Sequence, residues 1–221
     1  DLIQKTAYAI SMDETRYVLN GLYLAFREGE ITAVATDGRR LALAKTDCEM
    51  PDNFDKNLIL PLKAVQELGR ILSGEGEGKI TVGDRQISFD FPGVVMISRL
   101  INGNFPNYQQ VVPQEEGSKI KLPRIDFLQM VKRASLITDD KSNSVKFQFS
   151  PGQLTITAVT PDVGEAREEM NIEYDGPGIE IAFNPEYIMD VLKALDEEDE
   201  VVMELRDSDS PGIIRTGGSF L

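Results

Sequence analysis

The chain has 221 residues, 41% of them hydrophobic, and its 23 Lys and Arg against 37 Asp and Glu leave a net charge of −14. That suits one large domain or two ordinary ones with packed cores, and it excludes a protein that coats DNA or anionic membrane with its whole surface, though not a local basic strip. With no His and a single Cys, Ser-His-Asp and Cys-His catalysis, His-ligated zinc and an internal disulfide are excluded, a reducing cytoplasm is expected, and no apolar run approaches the ~18 residues of a membrane span.

In chain order, Asp1-Leu2-Ile3 reads as the interior of a helix, with no signal peptide and an N-terminus expected to be trimmed. Strands at Ile31 to Ala35 and Leu41 to Ala44 flank Thr36-Asp37-Gly38-Arg39-Arg40, where Asp-Gly favours a hairpin turn. A helix is predicted from Lys63 to Leu72, followed by a flexible Gly74-Glu75-Gly76-Glu77-Gly78 connection whose glutamates would repel phosphate. Val112 to Ser118 is a polar linker with Pro and Gly, which places a domain boundary near residue 116 and predicts domains 1–116 and 117–221. Apolar residues at near-helical spacing predict a helix from Ile125 to Thr138 with Asp126 as N-cap. Val145 to Phe149 and Leu154 to Val159 alternate apolar with polar residues around the turn Ser150 to Gln153, the pattern of a hairpin. Asn184-Pro185-Glu186 starts a helix with a capping residue and Pro at its first position, and Ile188, Val191, Leu192 and Leu195 form its apolar face. Asp196 to Glu200 reads as a solvated loop rather than a metal site, Val201 to Arg206 as a strand and Asp207 to Gly212 as a turn.

The chain repeats itself. Gly29-Glu30-Ile31-Thr32 aligns with Gly152-Gln153-Leu154-Thr155, 123 positions later, and this offset serves without a gap from Asn20 to Leu72. Near the N-terminus it drifts to 125. Such a period is the size of a small domain. Lys119 to Arg124 has no counterpart before Asp1, and Arg99 to Val112 would correspond to positions beyond Leu221, so each copy is expected to lack an edge segment. The fold class is α+β: two tandem copies, each with two helices packed on antiparallel sheets.

Two arginines at the Asp-Gly turn can hold a carboxylate or phosphate, or simply solvate the turn. Lys5, Lys63, Arg70, Lys132 and Arg133 are scattered bases on the predicted helices. In an isolated domain they solvate an outer face. If copies pack in an arc, they form a positive strip that tracks phosphates without reading sequence. The acidic flanks of Cys48 disfavour a nucleophilic thiol.

Arg16-Tyr17-Val18-Leu19-Asn20-Gly21, Ala35-Thr36-Asp37-Gly38-Arg39-Arg40-Leu41-Ala42, Phe105-Pro106-Asn107-Tyr108 and Phe183-Asn184-Pro185-Glu186-Tyr187, in this order and at these distances, closely resemble the bacterial DNA sliding clamp, the beta subunit of DNA polymerase III. The resemblance covers essentially the whole chain and implies the second and third of the family's three domains. The lead-in strand of the second and the last strand and tail of the third are expected to be missing. It implies a cytoplasmic, non-enzymatic processivity factor without cofactor or metal, whose intact form is a homodimeric ring around duplex DNA. It further implies a pocket between the two domains for short linear motifs, a Gln followed by Leu and Phe-like residues, from the polymerase III alpha subunit, the clamp loader and repair polymerases. By that resemblance the pocket is walled by Leu19, Thr36, Gly38, Arg40, Leu41, Pro106, Val111, Asn184, Tyr187 and Pro211, and the DNA-facing candidates are the five scattered bases. The alternative is a carboxylate-based hydrolase using Asp37 or Glu165. Position 37 pairs with Thr160 in the repeat, so that acid is not duplicated.

Overall fold

A computed structural model describes the chain apart from residues 73–75, 114, 139–142, 162–163, 197 and 217–221, so parts of the expected Gly74 to Gly78 connection and of the acidic run, at Glu197, lie outside the described residues. The chain forms two compact units, Asp1–Asn107 and Tyr108–Phe220.

In the first unit, helix α1 (Leu2–Thr6) passes into a 3-10 turn, Ala7–Ala9, and a further 3-10 stretch covers Glu14–Leu19. Strands β1 (Gly21–Arg27), β2 (Glu30–Thr36), β3 (Leu41–Asp47) and β4 (Lys56–Pro61) follow, then helix α2 (Leu62–Ile71) and strands β5 (Lys79–Val82), β6 (Gln86–Phe91) and β7 (Val94–Arg99). They build two antiparallel sheets, ordered β3-β2-β1-β4 and β5-β6-β7. Alternation along the strands sends Leu22, Leu24 and Phe26 of β1, Ala33 and Ala35 of β2, and Leu58 and Leu60 of β4 into one core with Ala64, Val65 and Leu68 of α2. The helix expected to run on from Asp1 instead ends at Thr6, whose hydroxyl donates to the Leu2 carbonyl at 2.6 Å, a bond of the kind that bends helices.

The second unit contains β8 (Ser118–Pro123), α3 (Arg124–Ser135), β9 (Val145–Ser150), β10 (Gln153–Thr160), β11 (Gly164–Asn171), β12 (Ile179–Phe183), α4 (Pro185–Ala194), β13 (Glu200–Leu205) and β14 (Ile213–Thr216). Its sheets are β11-β10-β9-β12 and β14-β13-β8. Phe127, Phe147 and Phe149 are fully buried at the centre of its core. Asn184 caps α4 as the sequence predicts, accepting from the Glu186 N–H at 2.9 Å, and Ile188, Leu192 and Leu195 are buried while Val191 packs at the core's margin. Asp126 is not the cap of α3. The cap position belongs to Pro123, and Asp126 sits in the first turn, where its charge complements the helix dipole. The helix stops at Ser135, short of Thr138, whose backbone N–H and hydroxyl both bond back to the Ser135 carbonyl.

The repeat is visible as topology. Leu24 faces Ala33 and Leu58 in the first unit, and Phe147 faces Ile156 and Ile181 in the second, the same register at the 123 offset. Helices α2 and α4 occupy matching positions. The expectation of one gapless offset fails at the third strand. Val34 pairs with Leu43, but its counterpart Thr157 pairs with Arg167 rather than Ala166, a slip of one residue that exchanges inward for outward positions.

The division between the units falls after Asn107, upstream of the domain boundary placed by composition near 116. The reason is that the linker is tied to the second unit: Gly117 N–H donates to the buried Glu204 carboxylate at 3.0 Å and Arg206 Nη1 to Glu115 at 2.6 Å. A Cβ on Gly117 would lie 2.6 Å from the Leu205 carbonyl, so only glycine fits there. Among the described residues, no helix is long and apolar enough to cross a membrane.

Candidate functional site

The turn between β2 and β3 is held by its own side chains. The Thr36 hydroxyl accepts from the Gly38 N–H at 3.0 Å and donates to the Arg40 carbonyl at 2.6 Å. One oxygen of Asp37 accepts from the N–H groups of Arg39 and Arg40 at 2.8 and 3.0 Å, and the other accepts from Arg40 Nε at 3.1 Å. Arg40 Nη2 then donates to the Tyr8 carbonyl at 2.7 Å, with its guanidinium 5.6 Å from the centre of the Tyr8 ring. Gly38 takes φ +86°, and Arg16 Nη1 lies 2.9 Å from where its Cβ would be and donates to the Asp37 carbonyl at 3.1 Å. Asp-Gly-Arg-Arg thus folds as the sequence predicts, but the two arginines differ. Arg40 fastens the turn to the segment after α1, whereas the Arg39 side chain is exposed. Asp37, weighed as a catalytic acid, has both carboxylate oxygens committed to the turn.

Beside this turn lies an apolar strip on the face of the sheet turned away from the helices. Leu41 faces Thr36, Leu43 faces Val34, and Val34 faces Tyr23. Leu41 and Leu43 are half-buried and stand outside the helix-side core, whereas Ala42 between them is buried in it. The chain after β7 returns over this face. Ile101 N–H donates to the Ile59 carbonyl at 2.9 Å, and Phe105 stacks on Tyr23 with centroids 4.9 Å apart, leaving Pro106 exposed. Gly21 is required beneath Ile101, because a Cβ there would lie 2.6 Å from the Leu60 carbonyl. Thr36, Gly38, Arg40 and Leu41 are therefore assembled directly. Leu19 ends the 3-10 stretch from which Arg16 reaches the turn.

In the second unit, Gly212 packs on the Phe183 ring, which sets the loop of exposed Pro211 beside Asn184 and the first turn of α4, with half-buried Tyr187. That loop is an Asp-centred turn as expected. Asp207 accepts from the N–H groups of Asp209 and Ser210 and pairs with Arg206. Hydrogen bonds from the Ser210 hydroxyl above all, then from Arg206 and these N–H groups, hold its carboxyl well below the usual range. Val111 is 62% exposed.

Of the five scattered bases, three have carboxylate partners. Lys5 Nζ lies 2.9 Å from Asp1, Arg70 pairs with Glu67, and Arg133 grips Glu168 through Nε and Nη2 at 2.6–3.0 Å. The hydrogen bonds from Arg133 keep the Glu168 carboxyl below its ordinary range. Lys63 and Lys132 are exposed, with no side-chain partner among the described residues.

Sequence reasoning missed Arg124, a buried cation that donates to the carbonyls of Leu192, Asp196 and Glu198 at 2.6–3.1 Å and so closes the C-terminal end of α4. It also left out Arg16, though its hexapeptide was recognised, because a bond to a carbonyl 21 positions away leaves no local pattern.

Residues 1–107 match the family described as DNA polymerase III beta subunit, central domain, and residues 109–220 the C-terminal domain of the same subunit. The chain is 38% identical over 221 residues to a beta sliding clamp of Chlamydia pneumoniae, covering 100% of this chain and 60% of that protein. A crystal structure of the DNA polymerase sliding clamp from Bacillus subtilis superposes with a TM-score of 0.93 at 32% identity, over 99% of this chain and 58% of that one. The clamp from Bartonella birtlesii bound to griselimycin gives 0.91 at 36% identity, over 98% and 60%. The chain thus spans about 60% of the length of the relative it matches. With both units matched in order and the fold reproduced, this chain belongs to the DNA polymerase III beta subunit family, the beta sliding clamps.

Proposed function

We propose that the chain acts in DNA replication as the peptide-docking part of a processivity clamp. The intact protein closes as a homodimeric ring around duplex DNA, slides on nonspecific contacts, and tethers the polymerase III alpha subunit, the clamp loader and repair polymerases through short linear motifs. The observation that carries this reading is the half-exposed apolar strip at Leu41 and Leu43, set outside the core next to a turn whose hydrogen bonds are satisfied internally. Such a surface suits Leu and Phe anchors, because it is rigid and does not lose core packing when covered. Leu19, Thr36, Gly38, Arg40, Leu41 and Pro106 of the first unit form the proposed anchor wall. Val111, Asn184, Tyr187 and Pro211 of the second are proposed as further peptide contacts. Family membership and the griselimycin-bound relative support a ligand-binding role on this fold.

No catalytic step is assigned. The rival hydrolase would need Asp37 free to exchange a proton, and its oxygens are engaged by two backbone N–H groups and Arg40. Among the DNA-facing candidates, Lys63 and Lys132 have ammonium groups available for phosphate. Lys5, Arg70 and Arg133 would first have to leave their carboxylates. The chain alone is expected to bind linear duplex weakly at most, with steep salt dependence. Calorimetric titration with a Gln-Leu-Ser-Leu-Phe peptide tests the docking reading. Binding that Leu41→Asp abolishes supports it, and wild-type affinity in a normally melting Leu41→Asp variant refutes it.

A further inference from the structure

The turn beside the apolar strip gathers three arginines on a molecule of net charge −14, and the structure separates their roles. Arg40 is held by Asp37 and the Tyr8 carbonyl. Arg16 donates to the Asp37 carbonyl, with Nε 3.7 Å from Asp13. The Arg39 backbone N–H is bonded to Asp37, but its guanidinium is exposed and has no partner among the described residues. The carboxylates within this group are Asp13 and Asp37. Arg16 and a threonine occupy the first, and the turn occupies the second. Of the three arginines, Arg39 is therefore the cation free to act on a ligand.

We propose that Arg39 selects partner peptides carrying an acidic residue beside their apolar anchors, by binding that carboxylate; this rests on the docking reading above. Arg39 precedes Leu41 by two residues, a backbone span of at most about 7 Å, so a carboxylate one or two residues from an anchor on the Leu41 strip comes within reach of a guanidinium. The turn is fixed by Asp37 and Thr36, so the arginine is presented from a rigid base and little backbone order is lost on binding. Arg40 is less available than Arg39, because its Nε and Nη2 already donate to Asp37 and to the Tyr8 carbonyl.

Two labelled heptapeptides test this by fluorescence anisotropy: Gln-Leu-Ser-Leu-Phe flanked by one Asp on each side, and the same peptide flanked by one Asn on each side. The 221-residue chain is expected to prefer the acidic peptide by roughly five-fold at low salt, a preference that shrinks at high salt. In Arg39→Ala the two peptides should bind alike, in Arg39→Glu the order should reverse, and Arg39→Lys should retain part of the preference. Melts of each variant check folding. Equal binding of both peptides to the wild type, or a preference that survives Arg39→Ala unchanged, overturns the role of Arg39 and leaves the docking site standing. Failure of both peptides to bind the wild type overturns the docking reading and this inference with it.

Discussion

The third strands of the two copies do different work on the same scaffold. Strand β3 turns Leu41 and Leu43 outward beside Thr36 and Val34. Its counterpart β11, slipped by one residue, turns Glu165, Arg167 and Glu169 outward beside Val159, Thr157 and Thr155, with Arg167 and Glu169 bonded to each other at 2.7 Å. One edge face is apolar and half-covered, and the other is charged and open to water. The inner strands share order and register, because their side chains fill a core on which two helices pack. The outward positions of an edge strand carry no such constraint. Duplication therefore preserved the fold, while the surface that can dock a partner sits on one copy.

The largest expected effect breaks that contrast directly. Leu41→Asp should cost about 3 kcal/mol of peptide binding or more, from lost apolar burial and desolvation of the new carboxylate, while the melting temperature holds. Arg167→Leu and Glu169→Leu together, at the charged edge, should leave peptide titration unchanged. The next effect separates the copies by stability. Arg124→Met should destabilise the second unit by about 2–4 kcal/mol in denaturant unfolding, since three carbonyls at the end of α4 lose their donor. The first unit's transition should stay put. Asp37→Ala should cost roughly 1–2 kcal/mol of stability in the first unit and weaken peptide binding as the turn loosens, measured by a melt beside a titration.

The smallest effect is electrostatic. Glu168→Gln should cost under about 1 kcal/mol at neutral pH, because Arg133 is more than half exposed. Folding lowers the Glu168 pKa, so its contribution is present above the ordinary carboxylate range and is lost as pH falls through the folded-state value. Wild type and variant should therefore converge in acid. A gap that widened as pH fell would contradict the Arg133 pairing.

What was legible in the sequence was local. Alternation marked β9 and β10, Asn184-Pro185 marked the start of α4, and Asp-Gly marked the β2–β3 turn, because each depends on dihedral preferences and hydrogen bonds within a few residues. The repeat was legible too, since two copies of one core need the same apolar spacing. The pocket residues are those the resemblance implies, and the structure brings Thr36, Gly38, Arg40 and Leu41 together at one turn. Other features were decided only by tertiary structure. The slip of β11, the capture of the linker by Glu204 and Arg206, and the burial of Arg124 all depend on partners far along the chain. The same holds for the two arginines of the turn. Side by side they are indistinguishable by composition, and the fold ties one of them, Arg40, through Asp37 and through the Tyr8 carbonyl 32 positions away, while the Arg39 guanidinium stays exposed.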